Sequence, residues 1–341
     1  MEARTGQLSG GLRASAAYLL TGSLAGVNAA IPGYPVFAAQ ALRYTLATVV
    51  LAAACWAQAR RHPLDGPRIR LTRRVAGLLA LQATVGVTGF NYCTAEAVRY
   101  TGAATVGTVI AIVPVVLAIA GPLAARRRVA PRVIIASVLV AAGAGVITGL
   151  GGASLPGLLL ALGALVAEVS FTLVAVPLVP VFGPLRASAW VSGCSVPVLF
   201  ALAFATGGAD AIPAPNAGQA AAIGYLAVAV CAGGFYLLYS ALPRLGADRV
   251  GLFAGLVPFG AMGAELVLGA GTVGPADVAG AVLVAAGVAV GAGARTAGQQ
   301  ETGRQQAGQQ GAGQPETGER EKKDTAAAPQ LSRTRTGAPR A

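Results

Sequence analysis

Charge is scarce in this chain. Only 11% of its 341 residues are Asp, Glu, Lys or Arg, against about 25% in soluble domains. Lysine is scarcer still: both lysines, Lys322 and Lys323, lie near the C-terminus. A Walker A loop needs a lysine beside the phosphates, so the body of the chain cannot build one and ATP hydrolysis is not expected. The one histidine, His62, sits in a basic loop, which excludes a histidine-rich metal site. Cys55, Cys93, Cys194 and Cys231 each stand inside an apolar stretch and nothing spaces them as metal ligands. They read as small apolar residues. No G-x-S-x-G or H-E-x-x-H pattern occurs. No catalytic residue, metal or cofactor is expected, and the protein is not read as an enzyme.

Apolar residues are what the chain has in abundance. They make up 55% of it, with 47 glycines. Apolar runs of membrane-crossing length, about 18 residues or more, recur along the sequence, and small residues let helices approach closely in lipid. The net charge of +12 lies in loops and a tail between those runs. That placement fits membrane orientation rather than nucleic acid, so no nucleic-acid partner is expected.

The chain repeats itself. Val138–Gly143 and Val282–Gly287 both read VLVAAG, 144 residues apart. The same offset relates Ala97–Pro114 to Ala241–Pro258, with seven of 18 positions identical, Pro114 and Pro258 among them. One offset serving two separated blocks marks a duplication. Each copy holds five apolar spans. In the first they cover about 14–31, 35–57, 75–98, 103–124 and 133–148; in the second, about 155–177, 187–206, 218–242, 249–270 and 275–292. The first run also has the outline of a signal peptide, but its counterpart in the second copy reads as a retained helix.

Arginines set the orientation. Those of Arg60–Arg74 and Arg126–Arg132, with Arg4, Arg13, Arg186, Arg244 and Arg249, fall on one side when the N-terminus is cytoplasmic. Of the loop arginines, Arg99 alone then lies outside. The positive-inside rule favours that arrangement, with both termini cytoplasmic in the cell membrane. Five is odd, so the second copy enters the bilayer in the opposite sense. The expected fold is an all-α integral membrane protein of ten transmembrane helices, arranged as two inverted five-helix repeats. The expected division is an N-terminal segment 1–13, repeats at 14–152 and 153–294, and a Gln/Gly-rich disordered tail 295–341.

These motifs resemble the EamA family of the drug/metabolite transporter superfamily. Leu42-Arg43-Tyr44 is similar to that family's Arg-aromatic signature in the second span. Ala97–Ala103 resembles its motif joining the third and fourth spans, and the two prolines and the VLVAAG pair match in order and spacing. The resemblance covers about 14–293 and implies ten helices and ATP-independent transport of a small solute, often export. One departure is plain: neither Pro122–Arg126 nor Gly269–Gly271 carries the Glu that the family often has near the ends of its fourth and ninth spans.

Ionisable groups inside spans are costly, so each needs a reason. Glu168 lies about twelve residues, roughly 18 Å, into the sixth span. It is either a proton-coupling or cation-binding carboxylate or a packing residue held by a partner. Arg43, about 12 Å into the second span, either pairs with Glu168, binds an anionic substrate group or holds structure. Glu265 stands two turns beyond Pro258, on its face. Asn28, Asn91 and Tyr92 are further lining candidates. Pro114 and Pro258 lie near mid-span, where each removes a backbone donor and supplies a hinge or cavity wall. Glu96 and Arg99, three apart, are expected to pair.

The sequence therefore points to a secondary active transporter, with export as the expected direction. It would move a small metabolite across the bilayer by alternating access, with protons as candidate coupling ions and the oligomeric state left open. The alternative is a membrane-embedded enzyme or a non-catalytic subunit of a membrane complex.

Overall fold

The structure is a computed structural model. It describes residues 2–29, 33–61, 71–101, 103–126, 128–148, 154–208, 211–269 and 274–293. The Gln-rich tail and Asp210 lie outside them. Every regular element among the described residues is helical. Alanine, leucine and valine fill most helical positions, and in an apolar medium a helix is one of the few ways to satisfy every backbone donor internally.

The first copy contains α1 (Glu2–Ala29), α2 (Val36–Arg61), α3 (Arg73–Leu81), α4 (Phe90–Thr101), α5 (Ala103–Ile110), α6 (Val113–Ala124) and α7 (Pro131–Thr148). The second contains α8 (Leu155–Phe182), α9 (Pro184–Gly207), α10 (Ala217–Tyr225), α11 (Phe235–Leu245), α12 (Ala247–Val250), α13 (Val257–Val267) and α14 (Pro275–Gly293). The first helix begins earlier than its apolar run, at Glu2. Among the described residues, five helical stretches are long and apolar enough to cross a membrane: 36–61, 105–124, 155–182, 184–207 and 217–245.

Local chemistry explains the ends. Thr72 accepts from the Val75 amide at 3.3 Å, and Ser154 accepts from that of Gly157 at 3.3 Å. Asn216 and Gln219 form a reciprocal capping box at 2.9 and 3.0 Å. Gly183, at φ 74°, ends α8 and lets Pro184 open α9 directly.

The duplication is visible in the irregularities. Residues Gln82–Gly89 join α3 to α4 as π-helix, and Leu226–Gly234 join α10 to α11 in the same way. The two stretches begin 144 residues apart, the offset of the sequence repeat. Wide π turns cluster at functional positions in helices. The prolines differ from expectation. Each chain segment breaks about one turn earlier, at Ala111–Ile112 and in the 3₁₀ stretch Gly251–Leu256, so Pro114 and Pro258 each stand at the second residue of a new helix, α6 and α13. A first-turn amide has no intrahelical partner, so a proline there forfeits no hydrogen bond.

The repeats also pack reciprocally. A Cβ at Gly143 would lie 2.7 Å from the Gly280 carbonyl oxygen; one at Gly287 would lie 2.8 Å from that of Ala136. Gly280 and Gly287 are the counterparts of Ala136 and Gly143, so each contact is the other with its partners exchanged. Position rises along α7 while the partner's position falls along α14, so the two equivalent helices run antiparallel. Elsewhere α1 packs on α11 and α13, α8 packs on α4 and α5, and α2 packs on its counterpart α9.

One large apolar core joins both copies. It includes Tyr18, Tyr44, Leu51, Phe171, Phe182, Val191, Tyr239 and Val250. All of these lie at mid-helix or toward the ends bearing Arg60, Arg186 and Arg244. Two smaller clusters flank it. One joins Ala97, Val106, Val113 and Leu117 with Ala161 and Leu165. The other joins Tyr34 and Ala38 with Ile223.

Candidate functional site

The site is a cavity at mid-helix where the two copies meet. Its wall comes from Tyr18 and Thr21 of α1, Arg43 and Tyr44 of α2, Asn91 of α4, and Glu168 and Phe171 of α8. Both π-helical stretches contribute, with Gly86 and Val87 from one and Val230, Cys231 and Gly234 from the other. Gly86 is needed there: a Cβ would come 3.2 Å from the Phe171 Cα. The first π turn thus places a small residue where α8 passes close by, and the second places Gly234 near Ala17 of α1.

Arg43 is 4% exposed. Its Nη2 donates to the Asn91 Oδ1 at 3.4 Å, and the guanidinium lies 5.1 Å from the centroid of the Tyr44 ring. Asn91 is oriented in turn, since its Nδ2 donates to the Val87 carbonyl at 2.8 Å. The Nε and Nη1 of Arg43 are buried without a hydrogen-bond partner among the described residues. Buried, unused guanidinium donors are expensive, and they suit an anionic group bound from the cavity. Glu168 is half-buried on the facing helix, with Tyr18 and Tyr239 within its electrostatic reach. It and Arg43 share the cavity without pairing directly. The ion pair among the described residues is Arg99–Glu96, at 3.0 Å, as the spacing of those two residues predicts.

Other candidates are dispersed. Tyr92 is 40% exposed and stacks on Phe37 at 6.0 Å, away from the cavity. Pro114 and Pro258 lie on α6 and α13 and do not line it. The side chains of Asn28 and Glu265 lie outside the described residues.

The sequence reading missed the aromatic floor. Phe171 lies 5.0 Å from Phe235 and 5.9 Å from Tyr239 between ring centroids, and Tyr44 lies 6.0 Å from Phe235. Gln82, fully buried, threads this cluster: its Nε2 donates to the Phe171 carbonyl at 2.8 Å and to the Tyr239 hydroxyl at 2.9 Å. The available signal was the rarity of aromatics, 6% of the chain, of which four converge here.

Two matches to the EamA-like transporter family, residues 14–149 and 155–291, account for most of the chain and coincide with the two structural copies. The chain belongs to the EamA-like transporter family. It is similar to the "Uncharacterized transporter YetK" of Bacillus subtilis (strain 168), at 28% identity over 237 residues, 67% of this chain and 69% of that protein. A solved structure, described only as a crystal structure of a protein, matches with TM-score 0.71 at 20% identity, covering 85% of this chain and 99% of its own. That match concerns the fold alone. Family membership and the apolar helices make this EamA-like protein a multi-pass membrane transporter.

Proposed function

We propose that the protein is a secondary active transporter that exports a small metabolite by alternating access. Its ten spans form two inverted five-helix repeats, with both termini cytoplasmic in the cell membrane. The observation that carries the reading is one cavity, midway along the helices and walled by both copies, that holds a buried arginine and a carboxyl group from opposite copies. Inverted-repeat carriers place their solutes at such a midpoint. Arg43 anchors an anionic group of the solute. Glu168 takes up and releases the coupling proton, because a carboxyl group can do both and an amide can do neither. Pro114 and Pro258, each opening a helix after a broken turn, supply flexing points at equivalent places in the two copies.

Purified protein in liposomes tests the reading. With an imposed pH gradient, at least one solute of a metabolite panel should move faster than in empty liposomes. No gradient-dependent flux with any solute of a broad panel would count against it.

A further inference from the structure

A second feature lies on the outer surface of the helix bundle. The crossing of α2 and α9 leaves an open groove lined by Thr48, Ala52, Ala189, Trp190, Gly193 and Cys194. Gly193 sets its depth, since a Cβ there would sit 3.3 Å from the Thr48 Cγ2. The groove runs toward the arginine-bearing end. Arg60 lies twelve residues beyond Thr48, about 18 Å along the helix, comparable with the roughly 15 Å half-thickness of a bilayer's hydrocarbon core.

That end is basic and aromatic. The Arg60 guanidinium stacks 3.7 Å from the centroid of the Trp56 ring. Stacking on a ring face occupies none of its N–H donors. Arg186 stands in the first turn of α9, three residues before the groove-lining Ala189. No carboxylate of the described residues pairs with Arg60 or Arg186. Trp56 and Trp190 are 58% and 41% exposed, as suits residues at a membrane interface.

The duplication supplies an internal control. The offset of 144 relates Ala52, Gly193 and Cys194 to Val196, Val49 and Val50, and relates Arg60 and Arg186 to Phe204 and Leu42. At the equivalent crossing Ala52, Gly193 and Cys194 are therefore replaced by valines, Ala189 by Thr45 and the arginines by apolar residues. Packing of α2 on α9 requires neither the small residues nor the charges, because the other end does without both.

We propose that this groove binds one anionic phospholipid, with an acyl chain along Ala52, Ala189 and Gly193 and the headgroup phosphate between Arg60 and Arg186. Charge complementarity singles out an anionic headgroup, and the spacing of about 18 Å from Thr48 to Arg60, comparable with one leaflet's hydrocarbon, suits a chain lying in that leaflet. The inference rests on the protein spanning a membrane and is independent of which solute it carries.

Native mass spectrometry of the full chain in detergent tests it, with palmitoyl-oleoyl phosphatidylglycerol, the matching phosphatidylcholine and inorganic phosphate as probes. The phosphatidylglycerol adduct should be retained preferentially. Arg60→Gln and Arg186→Gln should each cut that preference about five-fold, the scale of one arginine at an anionic surface. Ala52→Val with Cys194→Val, which installs the residues of the equivalent crossing, should weaken adducts of both lipids and leave the headgroup preference intact. Arg60→Lys with Arg186→Lys should retain most of the preference and shows that the charge, not the fold, is being read. The proposal fails if the two lipids are retained equally, if the glutamine variants keep the preference, if inorganic phosphate alone binds as well, or if a second copy of the chain displaces the lipid.

Discussion

Arg43 and Glu168 come from different copies and reach one cavity, yet each keeps its charge-bearing atoms away from the other. A direct pair would have been a structural lock. Separate placement is what the proposed roles, one toward a solute and one toward an ion, require. Arg43→Gln should therefore yield folded protein whose solute binding is weaker by about ten-fold or more, since a hydrogen bond to a charged group contributes about 1.5–3 kcal/mol. Isothermal titration with the solute found in the liposome panel reads it. An unchanged affinity would make Arg43 a packing residue. Glu168→Gln should leave solute exchange between two filled compartments intact while removing the response to a pH gradient, because the amide holds no exchangeable charge. Retention of wild-type rate and pH dependence would remove Glu168 from coupling. Of the candidates read from sequence, Arg43, Glu168 and Asn91 meet at the cavity. Tyr92 does not, because neighbouring positions on a helix point about 100° apart and residue type alone does not tell which of them faces inward.

Glycine and glutamine carry the argument for the helices. A Cβ at Gly287 would lie 2.6 Å from a Val140 methyl and 2.8 Å from the Ala136 carbonyl. By contrast, Gly224 in α10 has nothing within 4 Å. Gly287→Ala should therefore lower the stability of the α7–α14 contact by about 1–3 kcal/mol through overpacking. Gly224→Ala should raise stability by up to about 1 kcal/mol, the helix-propensity difference. Thermal unfolding in a mild detergent distinguishes the two, and equal shifts would contradict the packing described. Gly251, Gly255, Gly287 and Gly291, paired at four-residue spacing, all sit at close contacts, whereas a Cβ at Gly145 meets open space. Spacing marks candidates; only the neighbouring helix says which are used. Gln82→Leu should loosen the aromatic floor, because it removes the bonds to the Phe171 carbonyl and the Tyr239 hydroxyl and leaves that buried hydroxyl short of a partner. Faster labelling of Cys231 by a thiol reagent would reveal this, and an unchanged rate would show that the aromatic rings alone hold the floor.

For the molecule as a whole, the antiparallel crossing of α7 and α14 is what the proposed inverted insertion of the two copies predicts. In a background with the native cysteines replaced by serine, Asp210→Cys should react with an impermeant maleimide in intact cells. Gln305→Cys should react only after permeabilisation. Reaction of both from outside would refute inverted repeats with cytoplasmic termini.

The duplication, its 144-residue register and the apolar helices were fully legible in the sequence, because they depend on residues close along the chain or on plain recurrence of type. Both copies also announced where their fourth spans turn around a proline, though not that the helix would break first and restart with Pro114 or Pro258 in its first turn. The cavity was not legible in this way. Tyr18, Arg43, Asn91, Glu168 and Phe235 are spread over more than two hundred positions, and their meeting depends on π turns that shift the helix face and on α1 and α8 crossing into the opposite copy. Helix formation is a local matter of backbone bonds and side-chain apolarity; which faces meet is decided by close packing between distant segments, and only the folded chain contains that.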